Sequence, residues 1–238
     1  MDPAYARSYR ELYEHHWWWR ARESMVLMVL EGIAPAGGFG RILDVGCGDG
    51  LFFPRLRALG DPEGVEPDLS IVTDIGRSRG RIYQQPFDAA FRPGHAYGLV
   101  LMLDVLEHLA DPVAAMKCAK GLLAPGGRLV LTVPAFPVLW TSHDEHNHHL
   151  RRYRWRPLEE EVRTAGLEVE FVRYFFHWMF PVKLAQSTGE RIGLLRVHRA
   201  RVPTAIVNDL LHTVSRLEQR LTAKINLPFG NSIIAVLR

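Results

Sequence analysis

The sequence predicts an α/β fold: a doubly wound, mostly parallel sheet in three α/β/α layers. Three observations lead there. Short apolar runs alternate with helical periodicities along most of the chain. Tyr97–Leu103 is apolar without interruption, as in a strand covered on both faces. The loop Asp44-Val45-Gly46-Cys47-Gly48-Asp49-Gly50 follows an apolar strand and precedes a helical stretch.

Residues 5–31 read as a helix, with Tyr5, Tyr9, Leu12, Tyr13, His16 and Trp17 at three- and four-residue spacings. Pro35, Gly37, Gly38 and Gly40 break it. Arg41–Val45 is the first strand and Leu51–Leu59 a helix, Pro54 being tolerated in its first turn. Gly64–Glu66 and residues 81–85 are short strands, and Tyr97–Leu103 is the fourth. Asp111-Pro112 caps a helix that ends near Leu123, ahead of Pro125, Gly126 and Gly127. Arg128–Val133 is a strand. Pro157–Ala165 is a helix with Glu159, Glu160 and Glu161 near its positive end. Leu167–Tyr174 and Ser232–Leu237 complete the strands. Between them lies a partly helical insertion, in which Ile206, Leu210, Leu211, Val214, Leu217 and Leu221 form an amphipathic stripe. The chain divides into an N-terminal helical segment (1–38), a core (39–174), the insertion (175–230) and the last strand (231–238) of a single domain.

The 238 residues are 47% hydrophobic and 23% charged, which excludes disorder as the main state. No apolar run is long enough to span a bilayer. The first residues are too polar for a secretory signal. Two cysteines, Cys47 and Cys118, build no disulfide framework, so a cytoplasmic setting is expected. A net charge of +3 argues against a nucleic-acid partner.

Open α/β sheets bind ligands beyond the carboxyl ends of their strands. The glycine loop has Gly-x-Gly-x-Gly spacing (Gly46, Gly48, Gly50) and no phosphate-binding lysine. Asp44 at the strand end would repel a pyrophosphate and attract a cation. Glu66, twenty residues after Gly46, stands where a carboxylate accepts ribose hydroxyls. S-adenosylmethionine, which carries an ammonium and a sulfonium but no phosphate, suits such a site.

The segments ILDVGCGDG, GVEPD, YGLVLMLDVLEHLADP and LLAPGGRLVLTVP, in this order, resemble the class I S-adenosylmethionine-dependent methyltransferases. The resemblance implies a seven-stranded sheet with the last strand antiparallel. It implies that Asp44, Gly46, Cys47, Gly48 and Gly50 hold the methionine part, and Glu66 the ribose. Pro86 and Phe87 would run past the adenine, and Leu103 and Asp104 would line the methionine side. The N-terminal helix would be a lid. One departure is Gly98, where the family often has an aspartate after the aromatic residue that opens the fourth strand.

Asp104, Glu107 and His108 leave the sheet where a methyl acceptor should lie. His108 is the candidate general base, because imidazole titrates near neutrality. The Asp-x-x-Glu-His pattern is also similar to the polyprenyl-dihydroxybenzoate O-methyltransferases, and by that resemblance these three residues would hold a divalent ion. The competing reading, that Glu107 and His108 only pin the following loop, stays open, and a metal is not favoured.

Residues 134–156 should overhang the site. Trp140, His143, Asp144, His148 or His149, Arg151, Arg152 and Tyr153, with the pair His16-Trp17 near the N-terminus, resemble a little-characterised branch of the same superfamily. They suit an acceptor with an aromatic or lipid body and an anionic group. Zinc on His143, His146, His148 and His149 matches no standard spacing. The triplet Trp17-Trp18-Trp19 cannot face inward throughout, so it implies a lid or a homodimer contact. The aromatic stretch 175–181 reads as core, with an apolar pocket wall or a peripheral membrane contact as alternatives.

The expected activity is methyl transfer from S-adenosylmethionine to a small-molecule or lipid-like acceptor, most readily at oxygen. The rivals are a non-catalytic S-adenosylmethionine-binding sensor or subunit, and a nicotinamide-dependent oxidoreductase.

Overall fold

The computed structural model describes residues 10–68, 70–195 and 200–238. Seven strands form one sheet: β1 (Arg41–Val45), β2 (Asp61–Val65), β3 (Ile82–Tyr83), β4 (Tyr97–Leu103), β5 (Leu123–Pro134), β6 (Val169–Phe175) and β7 (Ser232–Leu237). Their order is β3-β2-β1-β4-β5-β7-β6. The pairs from β3 to β5 are parallel, and β7 lies between β5 and β6, antiparallel to both. The expected seven-stranded, mostly parallel sheet with an antiparallel last strand is present.

The eight helices described here are α1 (Trp17–Ile33), α2 (Phe53–Leu56), α3 (Asp74–Arg79), α4 (Pro112–Leu122), α5 (Ser142–His146), α6 (Trp155–Thr164), α7 (Met179–Arg191) and α8 (Ala205–Leu221). Successive strand side chains point to opposite faces, so the central strands are apolar throughout and feed two cores. Leu43, Val100, Met102 and Leu131 pack on one face with Met116 of α4 and Val162 of α6. Ile42, Leu99, Leu101 and Val130 pack on the other with Met25, Val26 and Leu30 of α1 and Phe53 of α2.

Several boundaries differ from the sequence reading. The helix expected over 5–31 breaks at His16, whose extended backbone (ψ 132°) and ring nitrogen, accepting from the Trp18 amide, cap α1. Residues 10–15 form a separate helical segment. Tyr5 and Tyr9 lie outside the described residues. The helix expected over 51–59 is one short turn, α2, flanked by turns. Strand β2 begins at Asp61, because Glu63 is satisfied inside the sheet by Tyr97 Oη (2.8 Å), His95 Nε2 (2.9 Å) and Tyr83 Oη (3.2 Å). Helix α3, capped by Thr73, was not anticipated.

The sheet reverses its order of construction between β1 and β4: β2 and β3 extend one way, β5 the other. A ligand crevice forms at such a switch point, outside the carboxyl ends of the strands. Asp44 near the end of β1 and Asp104 just past β4 face each other across it.

Candidate functional site

The crevice is built from the glycine loop upward. Gly46, Gly48 and Gly50 all have positive φ (72°, 55° and 63°), which glycine adopts without steric cost. A Cβ on Gly46 would sit 3.0 Å from the Val105 side chain, so only a bare backbone passes between β1 and the turn after β4. The loop is pinned by Glu66, whose Oε2 accepts from the Gly48 amide (3.1 Å) and Oε1 from the Asp68 amide (2.9 Å). Burial raises the Glu66 pKa. Asp49 anchors the far side, accepting from the Thr73 amide (2.7 Å) and pairing with Arg10 and Arg79.

Asp44 is 5% exposed, and burial pushes its pKa up to about 7 against the pull of Arg22. With Gly46, Cys47 and Leu103 it floors a cleft roofed by Tyr13, Arg22, Glu23 and Val26, which leave a cavity of about 50 Å³. Burial, with Asp44 next to it, keeps the Cys47 thiol protonated. Gly98 also has a structural cause: a Cβ there would fall 2.0 Å from the Phe39 carbonyl oxygen, so no aspartate fits.

Asp104 sits at φ 55°, a left-handed turn that aims its side chain off the sheet. Arg22 pairs with it (2.5 Å), and Thr132 Oγ1 donates to it (3.0 Å). Arg22 was missed by sequence reasoning. It lies on α1, and no local signal marks its partner.

Glu107 and His108 occupy a 3₁₀ turn, Leu106–His108. Glu107 is wholly buried, and neither carboxyl oxygen has a hydrogen-bond partner. Burial, then Asp104, raises its pKa well above the ordinary carboxylate value. The His108 ring meets that of His149 edge-on at 4.9 Å. Partial desolvation and His149 lower the His108 pKa, leaving it neutral and able to accept a proton. Glu107, His108 and His149 each place one donor atom within 4.8 Å of the others, the one such cluster among the described residues. His143, His146 and His148 are not part of it.

Behind His149 lies Asp144, the N3 residue of a capping box with Thr141. It receives His149 Nδ1 (2.9 Å) and Arg152 Nε (2.8 Å) on one oxygen. Burial would raise its pKa, but His149 and Arg152 hold it below the usual carboxylate range. Arg152 also donates to the Ala135 carbonyl (3.1 Å) and is itself buried. Arg151 donates to the carbonyls of Leu109 and Ala110 (3.1 and 3.3 Å). Tyr153 is buried, its hydroxyl donating to the Leu106 carbonyl under the 106–108 turn (3.1 Å). His143, in contact with Asn147 (3.0 Å), has its pKa pushed down to about 4 by burial and Lys183. Trp140 Nε1 reaches Glu145 (3.4 Å). Trp17 is buried against Trp178 and Phe176 rather than at the cleft. Pro86 and Phe87 follow β3 at the same sheet end as Glu66, with Phe87 leaning on Phe91. Of the expected residues, Asp44, Gly46, Cys47 and Leu103 line the cleft, Glu66 reaches it through the Gly48 amide, and Asp104 reaches it through Arg22.

A family profile described as a methyltransferase domain matches residues 8–171. A relative from Xanthomonas axonopodis pv. citri, named a ubiquinone biosynthesis O-methyltransferase, is 28% identical over 66% of this chain and 74% of its own. One of the same name from Xanthomonas campestris pv. campestris is 33% identical over 62% of this chain and 72% of its own. Among solved structures, the Haloferax volcanii complex of the Trm112 methyltransferase activator with a putative methyltransferase superposes with TM-score 0.61 at 17% identity. It covers 98% of this chain and 93% of the other.

Proposed function

The chain belongs to the S-adenosylmethionine-dependent methyltransferase family, and from that premise we propose that it methylates an oxygen of a small-molecule or lipid-like acceptor. The observation that carries the reading is Asp44. A carboxylate that burial penalises, set beside a bare glycine backbone, is stabilised by an ammonium brought to it. The donor set fits the cofactor: Asp44 takes the methionine ammonium, the loop amides approach its carboxylate, and Glu66 accepts from the ribose hydroxyls. Pro86 and Phe87 border the adenine, and Leu103 borders the methionine chain.

When bound, the cofactor supplies an electrophilic methyl carbon on a sulfonium. The protein's own work is positioning and proton removal. Tyr13, Arg22, Glu23 and Val26 form a roof that must open to admit the cofactor, because a molecule of that size fills a pocket of about 300 Å³ or more. Closed again, the roof keeps water out. Asp104, held by Arg22 and Thr132, orients the acceptor hydroxyl. His108 takes its proton, and Asp144 holds His149 in place against the His108 ring. Glu107, wholly buried, supports the turn. Arg151, Arg152 and Tyr153 hold the acceptor-side wall from behind, so the reading requires no anionic group on the acceptor. Trp140 and His143 belong to that wall.

The oxygen acceptor is supported by the names of the curated relatives and by a neutral imidazole beside an acidic group. The test is release of S-adenosylhomocysteine in the presence of phenolic and lipid-tailed hydroxyl acceptors. Acceptor-dependent release supports the proposal. Tight cofactor binding with no release from any acceptor would favour a sensor or subunit.

A further inference from the structure

Helix α8 is amphipathic in the opposite sense to an ordinary surface helix. Its buried residues are Asn208, Ser215 and Gln219. Asn208 accepts from the Trp17 amide (2.8 Å) and donates to the His15 carbonyl (2.8 Å). Gln219 donates to the Ala21 carbonyl (2.8 Å), and Ser215 accepts from Trp178 Nε1 (3.2 Å). The seam against α1 and α7 is therefore polar. Ile206, Leu210, Val214, Leu217 and Leu221, spaced by three and four residues, lie on the opposite side of the helix. All five are exposed, Ile206 at 85% and Leu221 at 67%. Twelve of the fourteen large apolar side chains exposed among the described residues lie between Val182 and Phe229. They include Ile192, Leu194 and Leu195, which line an open apolar groove with Pro181 and Leu184 of α7.

The charge of this insertion identifies its occupant. Residues 179–230 carry eight Lys and Arg against three Asp and Glu, a net +5 in a chain whose total is +3. The rest of the chain is therefore net negative, and the basic excess sits on the segment that exposes its apolar side chains. Among the described residues of the insertion, Arg191, Arg201, Arg220 and Lys224 are exposed against Asp209 as the exposed carboxylate, so a second copy would bring like charge to like. An anionic bilayer attracts it and receives its apolar side chains.

We propose that the described residues of the insertion, 179–195 and 200–230, led by the outer face of α8, form a docking surface for anionic lipid bilayers, on which the protein lies without crossing. No described helix is long and apolar enough to span a membrane. Both docking helices are fixed to the walls of the cleft. Helix α8 lies on α1, which roofs it, and α7 holds the 137–141 turn through Ser187 (2.8 and 2.7 Å to the Val138 and Trp140 carbonyls) and Lys183 (3.0 Å to Thr141). Docking thus brings the acceptor side to a lipid surface whichever acceptor is used.

The experiment is flotation of the full chain with phosphatidylcholine vesicles and with vesicles containing a quarter phosphatidylglycerol, at low salt and at 0.5 M salt. Binding to the anionic vesicles should exceed binding to the neutral ones by about tenfold and weaken in salt. Leu210→Glu with Leu217→Glu should reduce it by about tenfold or more while melting temperature and cofactor affinity stay unchanged, since both side chains are exposed. Failure of the wild type to float with anionic vesicles, equal binding to both vesicle types, or unchanged binding by the double variant would overturn the proposal. So would a dimer in solution that the double variant dissociates, because a second copy would then cover the face.

Discussion

Replacing Asp44 by asparagine separates the cost of this residue from its use. Its carboxyl titrates near pH 7 in the cofactor-free fold, against 3.8 for the ordinary group. A difference of about 3 pKa units corresponds to about 4 kcal/mol. Because the folded pKa is raised, this contribution to stability is complete below about pH 4 and is lost as pH rises through 7. The asparagine variant lacks that dependence. At pH 8 it should melt above the wild type by about 8–16 °C, from the roughly 2–4 °C per kcal/mol of a chain this size. At pH 5.5, where the native carboxyl is protonated but the unfolded one is still ionised, the gap should shrink to about half of that, and near pH 4 it should almost vanish. Cofactor binding should show the reverse. Loss of a buried charge partner should weaken S-adenosylmethionine about thirtyfold or more. Wild-type affinity should fall about tenfold per pH unit below 7, as the carboxylate takes up its proton. Differential scanning calorimetry and titration calorimetry at the two pH values read both. A melting difference independent of pH, or undiminished cofactor affinity in the variant, would refute the reasoning.

Four further outcomes follow. His108→Ala should lower kcat by about 10²–10⁴ with cofactor affinity unchanged, measured by S-adenosylhomocysteine release; full turnover would return the residue to a loop-pinning role. Asp144→Ala strands the buried Arg152 and frees His149, so it should cost about 3 kcal/mol and lower the melting temperature by at least about 6 °C; a change within 1 °C would contradict the buried pairing. Gly98→Asp should fold poorly, because its Cβ meets the Phe39 carbonyl, and soluble protein of wild-type melting temperature would show that the strand accommodates it. Chelation by EDTA should leave turnover unchanged, whereas a loss restored by Mg²⁺ would place an ion among Glu107, His108 and His149.

What could be read in the sequence was what depends on near neighbours in the chain. Uninterrupted apolar strands reveal a sheet covered on both faces. Asp44, the three glycines and Glu66 keep their meaning because each lies at the end of a strand whose position the fold dictates. What could not be read depended on contacts chosen by packing. Arg22 meets Asp104 only because α1 crosses the switch point. Arg151 and Arg152 read as ligands for an anion, yet they lie on backbone carbonyls and on Asp144, and spacing alone does not say which partner a guanidinium finds. The same holds for Trp17, whose ring packs on Trp178 and Phe176. For α8, periodicity revealed the apolar stripe but not which side faces the protein. The polar seam formed by Asn208, Ser215 and Gln219 reverses the usual answer.

The most direct measurement is calorimetric titration of the full chain at pH 8 with S-adenosylmethionine, S-adenosylhomocysteine and a nicotinamide dinucleotide. Saturable binding of the two sulfur compounds, weakened about thirtyfold or more in the Asp44→Asn variant, and no binding of the dinucleotide is the result expected here. No heat from either sulfur compound at millimolar concentration, or preferential binding of the dinucleotide, would contradict it.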